Sequence, residues 1–312
     1  MSGLSITTST TKPANGKSLS EAAQCYLLIG IQLIGFLVFT IWPILWSVQK
    51  SQYFYDMIPQ HTRFVGAENF IKVFHDRAYW HSWLTTFEFA AIKIPLEILL
   101  TFTLSVILSK KMRGTGIFRS AYLLPNIISV AVVGVIFSNI FQYFGVANII
   151  LKKLHLITEN INWFETSTGA MFVLITSSIW NTFGMSMLCF CTALENVPKE
   201  LYEAAQMDGA DAKQRLLHIT VPVAAPVVRT IILITITNTL QTGDFVIALT
   251  NGVPGGSTYT VAAYLINTFM PAFSGNIVNV GYGCAVGIIN SLIYALIAFV
   301  FLKSSGKYSQ LY

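Results

Sequence analysis

No Asp, Glu, Lys or Arg interrupts the chain between Glu21 and Lys50. A helix rises 1.5 Å per residue, so about 20 apolar residues cross a hydrocarbon layer about 30 Å thick. This run is long enough to do so, and five similar runs follow. The expected spans are 23–48, 83–108, 120–141, 170–194, 223–249 and 279–302. Each should be helical, because lipid offers no partner for an unpaired backbone N–H or C=O. The alternating ten-residue strands of a membrane barrel are absent. Of the 312 residues, 54% are hydrophobic and only 11% charged, whereas a soluble domain carries about a quarter charged. Disorder, coiled coil and collagen are excluded on the same grounds. A net charge of +5 without one basic patch disfavours nucleic-acid binding. The fold class predicted is all-α, a polytopic membrane protein with six transmembrane helices.

From Phe245 to Leu302 there is no charge at all, yet the stretch is too long for one helix and is broken at 251–256 and 271–276. The 13 residues of 258–270 between the breaks suit an interfacial or re-entrant helix better than a span. Lys and Arg favour the cytoplasmic side. With the N-terminus inside, twelve of the 19 basic residues fall in inner segments and six in outer loops, Lys93 lying within a span. Both termini are therefore expected in the cytoplasm. Residues 1–20, rich in Ser and Thr, read as a disordered tail. No small-residue cleavage site follows the first apolar run, which reads as a retained anchor and not a signal peptide.

Chemistry of the usual catalytic kinds is missing. Cys25, Cys189, Cys191 and Cys284 all lie in apolar spans. Cys189 and Cys191, two apart on a helix, point to roughly opposite sides, so neither a zinc site nor a disulfide is indicated. The five histidines show no HExxH spacing, and there is no GxxxxGK[ST] loop to cradle nucleotide phosphates. Gly114-Thr115-Gly116 lacks the context of a nucleotide loop. No metal site and no catalytic residue are expected.

The inner loop between the fourth and fifth spans has a clear local grammar. Asn196 or Val197 is placed as N-cap and Pro198 as first helical residue. Glu200 and Glu203 favour the early turns, and Gly209 suits a left-handed stop. A second helical stretch, 210–220, leads to Pro222. Ala204 and Ala205 leave a shallow face that another protein could approach closely; a helix resting on the membrane is the other reading.

The spacing Glu203-Ala204-Ala205, three residues, Gly209, nine residues, Ile219, one residue, Val221-Pro222 resembles the EAA loop of binding-protein-dependent ABC importer permeases. That family usually has Leu where Val221 stands. Phe64-Val65-Gly66-Ala67-Glu68-Asn69-Phe70 looks like the first outer-loop signature of its carbohydrate branch. The stretch from Arg113 to Arg119, with Leu124-Pro125, looks like the start of the next conserved span. Asn251-Gly252-Val253-Pro254-Gly255-Gly256-Ser257-Thr258 is similar to the outer loop of the maltose-transporter type of first permease, with Val253 where Gly is usual.

The resemblance implies a type I ABC importer permease fold in a bacterial inner membrane. It implies a disordered tail at 1–20, a permease domain at 21–303 containing the coupling loop 195–222, and a short tail at 304–312. The partners implied are a second homologous permease, two ATPase subunits, an extracytoplasmic solute-binding protein, a sugar and membrane lipid, with no nucleic acid. ATP and Mg belong to the ATPases, so this chain holds no cofactor. Glu203, Ala204, Ala205, Asp208 and Gly209 would dock on an ATPase. Asn181, Thr182, Gln241, Thr242 and Asp244 fall where the family contacts its sugar, although such groups also glue helices together. Lys93 and Glu97, four apart on one helix face, can form a structural ion pair. Two alternatives stand beside this reading. One is an ABC permease for a polyamine or sugar phosphate. The other is a secondary transporter using Lys93 and Glu97, though the inverted repeats such proteins often show are not evident.

Overall fold

The computed structural model describes residues 21–109, 115–269 and 278–306. The expected tail at 1–20, residues 307–312, Lys110, Lys111, Arg113 and the expected break at 271–276 lie outside the described residues. The chain divides into two compact units, one up to Gln49 and one from Lys50 onward.

The first unit is a single helical run: α1 (Glu21–Phe36), a wide π turn (Leu37–Ile41) and α2 (Trp42–Lys50). Pro43, the second residue of α2, has no N–H to donate and its ring collides with the carbonyl four residues back. The wide turn just before it accommodates both.

The second unit opens with a two-residue antiparallel ladder, β1 (Tyr53–Phe54) against β2 (Arg63–Phe64), which an all-helical reading did not foresee. It continues with α3 (Glu68–His75) and α4 (Arg77–Leu108). Next come α5 (Thr115–Ile127), α6 (Val130–Phe141), α7 (Val146–Lys153) and α8 (Ser167–Glu195). The loop helix α9 (Lys199–Met207) precedes α10 (Ala212–Arg215), a second π turn (Leu216–Thr220) and α11 (Val221–Leu240). The chain closes with α12 (Asp244–Leu249), α13 (Val261–Phe269) and α14 (Val280–Gly306). Among the described residues six stretches are long and apolar enough to cross a membrane: Cys25–Lys50, Arg77–Leu108, Val130–Lys153, Ser167–Glu195, Ala212–Leu240 and Val280–Ser305.

Two spans differ from expectation. The third, expected at 120–141, is broken: α5 ends at Ile127, and Ser129 turns the chain with an extended ψ of 137° before α6 begins. Pro125 weakens the last turn of α5 by removing a donor. The fifth, expected at 223–249, stops at Leu240 and resumes as α12. The break serves packing. A Cβ at Gly243 would sit 2.7 Å from the carbonyl carbon of Ala262, so only glycine lets the backbone of α13 come this close.

Helix α13 has nine residues, about 13 Å, and is too short to cross, as expected for the piece between the two breaks. Its start is moored from two sides. The Val261 amide donates to Thr86 Oγ1 at 2.8 Å, and Thr260 Oγ1 donates to the Thr242 carbonyl at 3.0 Å. Two apolar cores flank it. One joins Phe89, Val133, Leu174 and Val246; the other joins Tyr79, Trp83, Leu240 and Ala285. The small face of Gly184 brings α8 onto the Tyr122 backbone of α5, whereas Gly287 meets no neighbour within 4 Å and marks no close packing.

Candidate functional site: an exposed loop helix and a polar membrane interior

Helix α9 starts one residue later than the sequence indicates. Pro198 is the N-cap, with ψ 133°, and not the first helical residue. Its C-terminus closes by two backbone bonds. The Gly209 amide donates to the Gln206 carbonyl at 3.1 Å, and the Ala210 amide to the Ala205 carbonyl at 2.9 Å. This is the Schellman arrangement, and it requires the positive φ of +80° at Gly209. Glu203, Ala204, Asp208 and Gly209 are exposed and Ala205 is half-buried. Met207 is 88% exposed, and Leu201 is exposed as well. The helix therefore presents small and apolar side chains outward, with nothing of its own described chain to cover them. Tyr202 turns the other way, its Oη 2.8 Å from Thr220 Oγ1 at the base of the fifth span. The following turn is set by a capping box, in which the Gln214 amide donates to Asp211 Oδ1 at 2.7 Å and the Asp211 amide to Gln214 Oε1 at 2.8 Å.

Inside the membrane region Lys93 Nζ lies 2.8 Å from Glu97 Oε2, each residue 1% exposed. Lys93 also donates to Thr239 Oγ1 at 3.0 Å. Glu97 Oε1 accepts from Thr182 Oγ1 at 3.0 Å and from Ser186 Oγ at 3.1 Å. One buried pair thus links α4, α8 and α11, and Thr182 belongs to this network. Glu88 lies off that face and is exposed.

The other polar residues singled out from the sequence separate into two environments. Asn181 is buried, and its amide donates to the Pro125 carbonyl at 2.8 Å. That carbonyl lies at the end of α5, so Asn181 packs α8 against the α5–α6 break. Gln241 and Asp244 flank the α11–α12 break, both exposed, with no hydrogen-bond partner for either side chain among the described residues. Thr242 between them is half-buried and donates to the Asn238 carbonyl at 2.8 Å.

One polar cluster escaped the sequence reading. Asp76 caps α4, its Oδ1 accepting from the amides of Ala78 and Tyr79 at 2.9 and 3.2 Å. Its Oδ2 accepts from the hydroxyls of Tyr264 and Tyr282 at 2.5 and 2.6 Å. Burial works to raise the Asp76 carboxyl, but the Tyr264 and Tyr282 hydroxyls and the two amides outweigh it and hold the group below its ordinary value. Burial first, and then Asp76, push the Tyr264 hydroxyl up to about 12. An Asp before a helix is a recognisable N-cap signal; partners 188 and 206 residues away are not. Among the described residues no group of three His, Cys, Asp or Glu could hold a metal ion.

Residues 98–304 match the family model described as the binding-protein-dependent transport system inner membrane component. A probable ABC transporter permease, YesP of Bacillus subtilis (strain 168), is 34% identical over 90% of this chain and 90% of its own length. The arabinooligosaccharides transport system permease protein AraP of the same organism is 32% identical over 93% of this chain and 90% of its own. The fold is similar to a chain of a bacterial ABC transporter involved in the import of the acidic polysaccharide alginate, with TM-score 0.78 and 19% identity over 91% of this chain and 95% of that one. With six candidate spans, an exposed loop helix at the EAA positions and these matches over most of its length, the chain belongs to the family of inner membrane components of binding-protein-dependent ABC transport systems.

Proposed function

We propose that the chain is one of two permease subunits of an ABC importer that carries a sugar or oligosaccharide handed over by an extracytoplasmic binding protein. The sugar class rests above all on the similarity to an arabinooligosaccharide permease over 93% of the chain. The exposed amide and carboxylate of Gln241 and Asp244 at the α11–α12 break add hydrogen-bonding groups of the kind a hydroxyl-rich ligand needs. Both termini are cytoplasmic in this reading, and residues 195–222 form the coupling loop. Helix α9 seats Glu203, Ala204, Ala205, Asp208 and Gly209 in a cleft of an ATPase, which binds ATP and Mg. Lys93 and Glu97 pin three spans and move no ion.

The test is uptake by proteoliposomes holding the whole complex with its binding protein. Labelled oligosaccharide should accumulate with ATP inside and not without it. Accumulation of a polyamine or sugar phosphate instead would replace the substrate class. Uptake driven by an ion gradient without ATP would replace the transport class.

A further inference from the structure

The ends of α4 and α8, helix α9 and the α10 segment with its π turn line an open cavity of about 950 Å³. Its polar lining is cationic. Lys199, Lys213 and Arg215 all border it, and none of them forms an ion pair with an acid among the described residues. The acid on its wall, Glu195, is already held by Arg119. The hydroxyls on the wall are satisfied as well: Tyr202 and Thr220 bond each other, and Ser109 donates to the Val106 carbonyl at 3.0 Å. With Glu195 neutralised by Arg119, the charge left unpaired on the lining is positive. The lining also includes the apolar side chains of Val106, Leu194 and Leu216. Helices α4 and α8 end beside it, at Leu108 and Glu195, so it sits where a spanning bundle meets water.

We propose that this cavity binds one anionic phospholipid, with its phosphate between Lys199, Lys213 and Arg215 and an acyl chain along the apolar side chains. The charge requires an anion, and the apolar part of the lining selects a lipid over a free phosphate. Clusters of Lys and Arg at the cytoplasmic edge of membrane helices attract the anionic lipids of that leaflet. The proposal rests on the reading that α9 faces the cytoplasm. The lipid fills the space between α9 and the span ends, and so supports the helix that receives the ATPase.

Native mass spectrometry of the intact complex in detergent, with added phosphatidylglycerol or phosphatidylcholine, tests it. Wild type should retain phosphatidylglycerol selectively. The variant Lys199→Gln/Lys213→Gln/Arg215→Gln should lose that retention about tenfold, with ATPase subunits still bound. Lys152→Gln/Lys153→Gln, on another segment, should leave it unchanged. Glycerol phosphate and inorganic phosphate should not displace the lipid; displacement by either at equal concentration overturns the lipid assignment in favour of a simple anion site. Equal retention by wild type and the triple variant overturns the proposal. Loss of the ATPase with lipid retention unchanged also overturns it, assigning the cations to an acidic protein surface. Outside labelling of a cysteine at position 307 in intact cells would sink the topology without touching this binding result, so the two failures are distinguishable.

Discussion

Tyr202 Oη and Thr220 Oγ1 share a 2.8 Å hydrogen bond that ties the exposed helix α9 to the base of the fifth span. Thr220 is 6% exposed and ends the π turn that precedes Pro222. From there α11 rises for 20 residues, about 30 Å, to the break carrying Gln241. If α9 moves with an ATPase, this bond and α11, which carries Pro226 inside it, are the connection from the loop to the proposed solute path. Tyr202→Phe removes the bond and keeps the ring, a loss of about 1 kcal/mol. The complex should still assemble, but fewer solute molecules should enter per ATP hydrolysed. An unchanged ratio in proteoliposomes would show the bond to be only structural.

The Lys93–Glu97 pair allows a decisive comparison. Lys93→Met alone strands the Glu97 carboxylate in the interior and should cost about 3–5 kcal/mol, whereas Lys93→Met/Glu97→Met together should cost far less. Thermal unfolding of the detergent-solubilised complex reads this order. Uptake retained by the double variant fits a pin between spans; uptake lost with normal stability would assign the pair to ion movement.

Gly209 tests the loop from its backbone. In the chain itself an added Cβ meets nothing within 4 Å, so the strain of Gly209→Asp comes from φ +80° alone, about 1–3 kcal/mol. A cleft closing over α9 would add a clash. Solute-stimulated ATP hydrolysis should fall sharply in the reconstituted mutant, with ligand binding by the binding protein unaffected. Normal stimulation and normal uptake would leave α9 as a helix resting on the membrane.

Asn181 and the Gln241/Asp244 pair should respond differently to alanine. Asn181→Ala leaves the Pro125 carbonyl without its donor and should lower thermal stability, by about 1–3 kcal/mol. Gln241→Ala and Asp244→Ala break no described contact and should reduce uptake with stability unchanged. Full uptake in both of the latter would remove them from the solute path.

Asp76 predicts a pH dependence. Its folded carboxyl is held below the ordinary value, so the folded chain binds that proton less readily than the unfolded one. The stability this supplies is complete above about pH 4, the ordinary carboxylate range, and fades as pH falls further through the folded value. Asp76→Asn should lower the thermal midpoint at neutral pH and flatten its decline on acidification. Parallel curves for the two proteins would place the acid sensitivity elsewhere.

Helical spans could be read from residues alone because lipid leaves the backbone no choice. A run such as 23–48 must satisfy its own N–H and C=O groups, and only a helix does so. Local grammar settled the loop in the same way: Gly209 was legible as a left-handed stop because its φ is dictated within one turn of chain. Lys93 and Glu97 were legible as a pair because four residues on a helix bring them together. Where a helix breaks was less legible. The chain could have run through 241–243; it stops there because α13 presses its Ala262 backbone against Gly243. The same limit explains the missed Asp76 cluster, which joins the starts of α4 and α14 through α13. It also explains why Thr182, singled out for the solute path, turned out to donate to Glu97. Periodicity, apolar length and capping act within a few residues, so the sequence by itself determined that the chain is helical with six apolar runs, and it determined the loop helix and its stop, but not where the third and fifth runs break. Which polar groups meet across spans depends on how the helices pack, and only the tertiary structure decided that.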